Sequence, residues 1–333
     1  MTQLIAETAW HHEGDFSFMK DLVSRICNES AADIVKMHIT LDLDEYMRSE
    51  HSAYELLKKW MFSPAQWTEL IAVVQASNKE LMLLLNDTLA IDFASHVNPD
   101  FIEIHSVCLN VPRLQQAVLE KINAKAKVVI GVGGCSLQEI DSAINVFKSR
   151  ETILMFGFQN YPTKYEDVNL KKVRKIQSLY ANKDFGYADH TVWNEENNEL
   201  ITLLVSSNGM DYIEKHVTTR YGEERCDSSA AISIDMFNQL ADKVNLLDRI
   251  YGDGSIALNS GEASYSQYGP MKMAALFRHD MSAGVIVSQD DLTFCRTSKI
   301  TKMSQLEVLA MVGEELKIAV KGNQVVDWAC FGG

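Results

Sequence analysis

The chain has 333 residues, with 31 Lys+Arg against 45 Asp+Glu and a formal charge of −14, so it offers a phosphate backbone no general attraction and nucleic acid is excluded as a partner. At 47% hydrophobic with only 5 Pro and 17 Gly, it lies outside disordered composition and is long enough for one large domain, or a large one with a small one. No run approaches the roughly eighteen consecutive apolar residues that span a bilayer, and the acid in MTQLIAETAW interrupts the apolar core a signal peptide needs; the expectation is a cytoplasmic protein with no membrane partner.

In chain order, short β-branched runs alternate with longer amphipathic stretches, the signature of βα units around a parallel sheet. The spacing predicts strands at Leu4–Ala9, Asp33–Ile39, Glu80–Leu85, Phe101–Ser106, Lys127–Val132, Thr152–Phe158, Phe185–Ala188 and Asp211–Val217, and helices such as Leu137–Lys148 and Leu170–Ala181. Eight such units in about 250 residues predict a closed (β/α)8 TIM barrel, because an open doubly wound sheet has fewer strands and a Gly-rich first turn. The glycine cluster Gly131-Val132-Gly133-Gly134 follows the fifth strand without a lysine and reads as a tight turn. Ser136-Leu137-Gln138-Glu139 is a capping box, and Ser233 opens a helix running to Leu247.

The rhythm changes at Tyr251-Gly252-Asp253-Gly254-Ser255. We therefore divide the chain into a barrel over 1–250, a polar linker over 251–269 and a small module over 270–333. That module carries short strands at Lys272–Phe277 and Leu292–Arg296 and a helix near Gln305–Met311. The six cysteines, Cys27, Cys108, Cys135, Cys226, Cys295 and Cys330, form no CxxC pair and read as reduced packing residues.

Reactive groups in such a barrel come from the C-terminal strand ends. Six of the nine histidines, His11, His12, His38, His105, His190 and His216, fall there. Imidazole is the commonest nitrogen ligand for divalent transition metals, and His190 and His216 end neighbouring strands, so they either share a metal or are hydrogen-bonded barrel residues. By strand parity Lys36 shares a face with His38, Glu103 with His105, and Tyr212 with Glu214 and His216. A lysine pointing into the barrel needs an anion, so Lys36 binds a ligand carboxylate or phosphate, or pairs with Glu7 or Glu103. Glu7 is a general base, an anchor for a sugar hydroxyl, or a structural carboxylate.

Several of these segments together resemble the sialic acid synthase family: Glu7…His12-Glu13-Gly14, Ile34-Val35-Lys36, Tyr161-Pro162-Thr163…Glu166-Asp167-Val168-Asn169-Leu170, Gly186…Asp189-His190-Thr191 and Ile213-Glu214-Lys215-His216…Thr218. The tail over Met271–Phe331, with Ser288-Gln289-Asp290-Asp291-Leu292 and Arg296, is similar to the small antifreeze-like (SAF, β-clip) domain of that family. The resemblance implies condensation of phosphoenolpyruvate with an N-acetylated aldose such as N-acetylmannosamine, giving a nonulosonic acid and phosphate, for surface polysaccharide biosynthesis. It implies a divalent metal, manganese first, with magnesium or cobalt as alternatives, held by His190 and His216. Glu7 matches the acid near the metal and sugar, and Asp227 the acid in the loop after the eighth strand. Lys36, Ser106, Gln159, Tyr161 and Asp189 match the substrate site, and Arg296 matches an arginine lent to the sugar site of the partner subunit in a domain-swapped homodimer.

The chain departs from the family pattern at identifiable places. Glu103 stands where the pattern has a lysine, Cys108 where it has an acid, Gly131 and Ala188 where it has serines, Gln159 where it has an asparagine-like residue and Ala263 where it has a lysine. Asn86-Asp87-Thr88 replaces a TPF signature, His11 an asparagine and His38 a glutamine. His11, His38 and Glu103 are therefore additional site candidates, extending a metal site or forming a new acid/base pair. These departures keep two alternatives beside the synthase: a metal-dependent aldol-type enzyme with a different, less phosphorylated donor, and a non-catalytic paralogue acting as a binding subunit.

Overall fold

Alternation along eight short strands decides the architecture, because each strand must bury both its faces. The structure is a computed structural model that describes residues 2–157 and 160–333. The strands are β1 (Gln3–Glu7), β2 (Ile34–Ile39), β3 (Glu80–Leu85), β4 (Phe101–Ile104), β5 (Lys127–Gly131), β6 (Thr152–Phe156), β7 (Asp184–Ala188) and β8 (Tyr212–Thr218). They pair in sequence order, all parallel, and β8 returns to β1 with Gln3 opposite Tyr212 and Glu7 opposite His216. The sheet closes into a (β/α)8 TIM barrel.

Residues of one parity, Ile5, Ile34, Met82, Phe101, Val129, Ile153, Met155 and Tyr212, form a buried cluster inside the ring. The opposite parity, with Leu4, Val35, Met37, Leu83, Ile102, Ile130, Leu154 and Ile213, joins the larger core under the helices. Four inward positions just above the inner cluster carry charged groups: Glu7 follows Ile5, Lys36 follows Ile34, Glu103 follows Phe101 and Glu214 follows Tyr212 on the same face. At the opposite end, carboxylates fix strand starts. Asp33, Asp100 and Asp211 accept from the backbone N–H groups of Leu4, Leu81 and Phe185 at 2.8, 2.8 and 2.9 Å.

The outer helices start where local chemistry predicts. Asp15 caps Phe16–Glu29, Ser136 and Glu139 form the predicted capping box of Leu137–Val146, and Ser233 caps Ile234–Tyr251, one turn longer than the periodicity predicts. Strand ends predicted at Ala9, Ser106 and Val132 stop earlier, at Glu7, Ile104 and Gly131, where the chain leaves the ladder to form the loops of the barrel mouth. Among the described residues no helix is long and apolar enough to cross a membrane.

The chain divides into two compact units, Met1–Gly252 and Asp253–Gly333. The second contains a helix at Ser260–Tyr265, an antiparallel pair of β10 (Ala274–Phe277) with β11 (Leu292–Cys295), and a helix at Gln305–Ala310. In the first unit, β9 (Ile232–Ser233) pairs parallel with the end of β8, Val217 opposite Ile232. The core of the second unit gathers Phe277, Met281, Leu292, Met303, Leu316 and Val326 from the whole module. Arg296 is exposed on this unit, and its Nε donates to the Pro270 carbonyl at 2.9 Å.

Candidate active site

The C-terminal mouth of the barrel encloses a cavity of about 320 Å³ whose wall includes Glu7, Lys36, His38, Glu103, His105, Ser106, Tyr161, His190, Glu214, His216 and Asp227. Its floor is a buried charge cluster. Lys36 Nζ lies 2.7 Å from Glu103, 2.9 and 3.0 Å from the two oxygens of Glu214 and 3.4 Å from Glu7. Glu103 reaches the lysine across the ring from β4, while Glu7 sits beside it in register on β1. Of the two readings of Lys36, the structure contains the carboxylate pairing.

This clustering sets the charge states. Burial opposes the Lys36 ammonium, but Glu103, Glu214 and Glu7 outweigh it and hold its pKa well above the ordinary lysine value. Burial likewise pushes Glu7 up, yet Lys36, Glu214 and His216 together hold it well below the usual carboxylate range. Burial and the neighbouring Glu7 charge raise Glu214 well above that range, and the same two causes raise Glu103. The cluster thus retains a proton on one carboxyl while the next stays ionised.

Beside it stand the groups suited to a metal. His190 Nε2 and His216 Nε2 face each other at 3.2 Å, and Glu7 Oε2 lies 3.4 Å from His216 Nε2. One ligand atom from each of Glu7, His190 and His216 falls within 4.8 Å of the others, all three residues being buried. Burial and the adjacent His216 lower the His190 pKa to about 3, so its imidazole is neutral and able to coordinate. Two imidazoles and one carboxylate suit a borderline divalent ion, so the donor set fits the group expected from the sequence.

The loops that carry these side chains are tied together. Trp10 N–H donates to Asp227 Oδ2 at 3.1 Å, Arg225 Nε to the His11 carbonyl at 2.7 Å, and Cys226 N–H to Glu13 Oε1 at 2.7 Å. The Tyr161 hydroxyl donates to the carbonyl of Asp227, which is held at φ +59°. A sequence profile described as the NeuB family matches residues 28–256.

The chain belongs to the NeuB family. It is 26% identical over 346 residues to the N,N'-diacetyllegionaminic acid synthase of Legionella pneumophila, covering 98% of this chain and 93% of that protein. It is 22% identical over 338 residues to the human N-acetylneuraminate-9-phosphate synthase, covering 97% and 90% respectively. In structure it is similar to the spore coat polysaccharide biosynthesis protein E of Chromobacterium violaceum, with TM-score 0.82, 17% identity and 99% of both chains covered.

Within this NeuB-family barrel, the site candidates read from the sequence separate into three groups. Glu7, Lys36, His38, Glu103, Ser106, Tyr161, His190, His216 and Asp227 share the cavity wall. Asp189 does not. It points outward, 1% exposed, where it pairs with Lys215 at 3.1 Å and accepts from Thr191 N–H, Thr191 Oγ1 and Thr202 Oγ1 at 2.9, 2.6 and 2.6 Å. Its position fixes the backbone that carries His190. His11 is not among the wall residues; its ring lies 5.6 Å from that of His216, and both its nitrogens are buried without a hydrogen-bond partner among the described residues. Gln159 lies outside the described residues, and Arg296 belongs to the second unit.

His38 is held at 2.6 Å by Asn86, and burial lowers its pKa to about 3. Sequence reasoning did not choose Glu214 as a site residue, although its parity with His216 gave the signal. Trp10, Tyr46, Leu84 and Met155, which shape the cavity, carry no pattern that marks them.

Proposed function

We propose that the protein is a nonulosonic-acid synthase-type enzyme that joins the C3 carbon of a three-carbon enol donor to the aldehyde of an open-chain N-acetylated aldose of the N-acetylmannosamine kind. The observation that carries this reading is the convergence of Glu7, His190 and His216 in the barrel-mouth cavity, directly beside the Lys36 cluster with which they share Glu7. The donor class implied by the sequence is a pyruvate-type enol, with phosphoenolpyruvate as its family form.

A divalent metal, manganese first with magnesium or cobalt as alternatives, would be held by Glu7, His190 and His216 and would polarise the aldehyde carbonyl as a Lewis acid. The chain's own groups do the rest. Lys36 holds Glu7 ionised, and Glu214 retains a proton in the cavity for the oxygen that becomes a hydroxyl when the bond forms. Asp227, fixed by Trp10, stands at the rim to accept hydrogen bonds from sugar hydroxyls, and Ser106 and Tyr161 complete the substrate wall. Gln159 and Asp189 enter this reading as a further wall residue and as a positioning group for His190.

The same reading makes 270–333 an antifreeze-like (SAF) module after a linker over 251–269, with the exposed Arg296 offered to the sugar site of the partner subunit in a domain-swapped homodimer working in the cytoplasm. The test is metal analysis of the purified chain with manganese titration. One metal per chain, lost in His216→Ala, is expected, and product should appear as a 2-oxo-3-deoxy acid by mass spectrometry. A chain that takes up no metal would refute the proposal.

A further inference from the structure

His11 is 0% exposed, and neither of its ring nitrogens has a hydrogen-bond partner among the described residues. A neutral imidazole holds one donor and one acceptor nitrogen, and burying both unpaired is costly enough that native structures rarely do so without a use for the group. The chain also fixes this residue in place. Arg225 Nε donates to the His11 carbonyl at 2.7 Å and Arg225 Nη2 to the His12 carbonyl at 3.3 Å, while the same guanidinium lies 3.7 Å from Glu13. The loop after β8 thereby clamps the loop after β1.

His216 stands against His11 with the complementary defect. Its Nε2 lies 3.2 Å from His190 Nε2 and 3.4 Å from Glu7, and its Nδ1 is buried without a partner among the described residues. The His11 and His216 rings are 5.6 Å apart between centres at 89°. That is less than an ångström farther than His190 and His216, whose rings at 4.7 Å and 82° bring two nitrogens to 3.2 Å. The outer torsion of a histidine side chain is broad, so a turn of the His11 ring carries a nitrogen toward His216 without moving the backbone that Arg225 holds. An imidazole that gives Nε2 to an ion carries its proton on Nδ1, and that N–H needs an acceptor.

We propose that His11 is a positioning residue for His216: its unprotonated nitrogen accepts a hydrogen bond from His216 Nδ1–H, which fixes the tautomer and ring orientation that leave Nε2 free for a divalent cation. The inference rests on the metal site proposed above and adds to it a residue outside the set of ligands. In this role His11 touches neither ion nor substrate, and no proton leaves either ring.

The experiment uses the full chain, with zinc as a diamagnetic probe for NMR and manganese for affinity. In zinc-loaded protein with isotope-labelled histidine nitrogens, His216 is expected to be protonated at Nδ1 and to show a coupling across the hydrogen bond to one His11 nitrogen, a readout that needs no variant. Manganese affinity, measured by calorimetric titration, is expected to fall about tenfold or more in His11→Leu, which keeps the bulk and removes both nitrogens. His11→Asn and His11→Gln place an oxygen near the positions of Nδ1 and Nε2, and at least one of them should restore most of the lost affinity. The proposal is overturned if His216 Nδ1–H shows no coupling to His11, or if a folded His11→Leu binds manganese as tightly as wild type. It is overturned equally if both polar variants bind as weakly as His11→Leu, since His11 then acts through packing alone. Each of these failures leaves the metal site standing, whereas a wild-type chain that takes up no metal removes the site and this inference together.

Discussion

Lys215 and Asp189 form an ion pair behind the barrel wall with both side chains 1% exposed, and replacing the lysine by methionine isolates what that burial is worth. In Lys215→Met the Asp189 carboxylate loses its counter-ion at 3.1 Å but keeps the Thr191 and Thr202 donors. Removing one partner of a buried pair costs about 3–5 kcal/mol, and the three remaining hydrogen bonds place the expected loss near the lower end, about 3 kcal/mol. For a unit of this size that is a fall in Tm of about 6–12 °C. Burial raises the Asp189 pKa, while Lys215 and the threonines outweigh it and hold the pKa below its ordinary value. The pair's contribution is therefore present above the unfolded-state value of about 3.9 and fades as pH falls through the lower native value. Urea unfolding followed by circular dichroism, on wild type, Lys215→Met, Asp189→Asn and the double variant, measures the coupling. A deficit under about 1 kcal/mol in Lys215→Met at pH 7, or strictly additive single changes, would refute the argument.

Two further perturbations test other parts of the structure. His12 packs against Phe62 at 4.4 Å between ring centres and accepts from Gly14 N–H, and burial lowers its pKa to about 4. The unfolded chain takes up this proton near pH 6.5 and the native chain does not until about 4, so stability should fall by up to about 3 kcal/mol as pH drops between those values. His12→Gln should lose that part of the slope in urea midpoints at pH 7 and 4.5, and an unchanged slope would remove His12 as its source. Gly131→Ser forces a Cβ to 2.6 Å from backbone nitrogen, so a loss of about 1–3 kcal/mol is expected; a variant melting with wild type would show that the Ser106 turn yields freely.

The ring and most of its wall are legible in the sequence because strand period and barrel closure are strong constraints. Glu80–Leu85 is read residue for residue, and parity alone sends Lys36, Glu103 and His216 inward. The same rule, applied to Gly186, Ala188 and His190, turns Asp189 outward toward Lys215, which parity with Glu214 and His216 also turns outward; motif likeness drew it toward the substrate instead. The meeting of Glu103 with Lys36 was less visible, since their strands are not neighbours and reach each other only across the closed interior. His11 escapes pattern altogether: it follows Ala9 at φ +46°, where the strand alternation has ended.

Glu7 lies at the start of the chain and His216 some two hundred residues later, yet they are register partners across the seam where the barrel closes. An emerging polypeptide therefore presents incomplete sets of these ligands until its last barrel strand has been made and has found its first. Capture of a metal ion by the set of three would report a finished ring, and an ion held there would fasten the seam itself, adding its binding energy to a contact that folding must form between the first and last strands of the barrel.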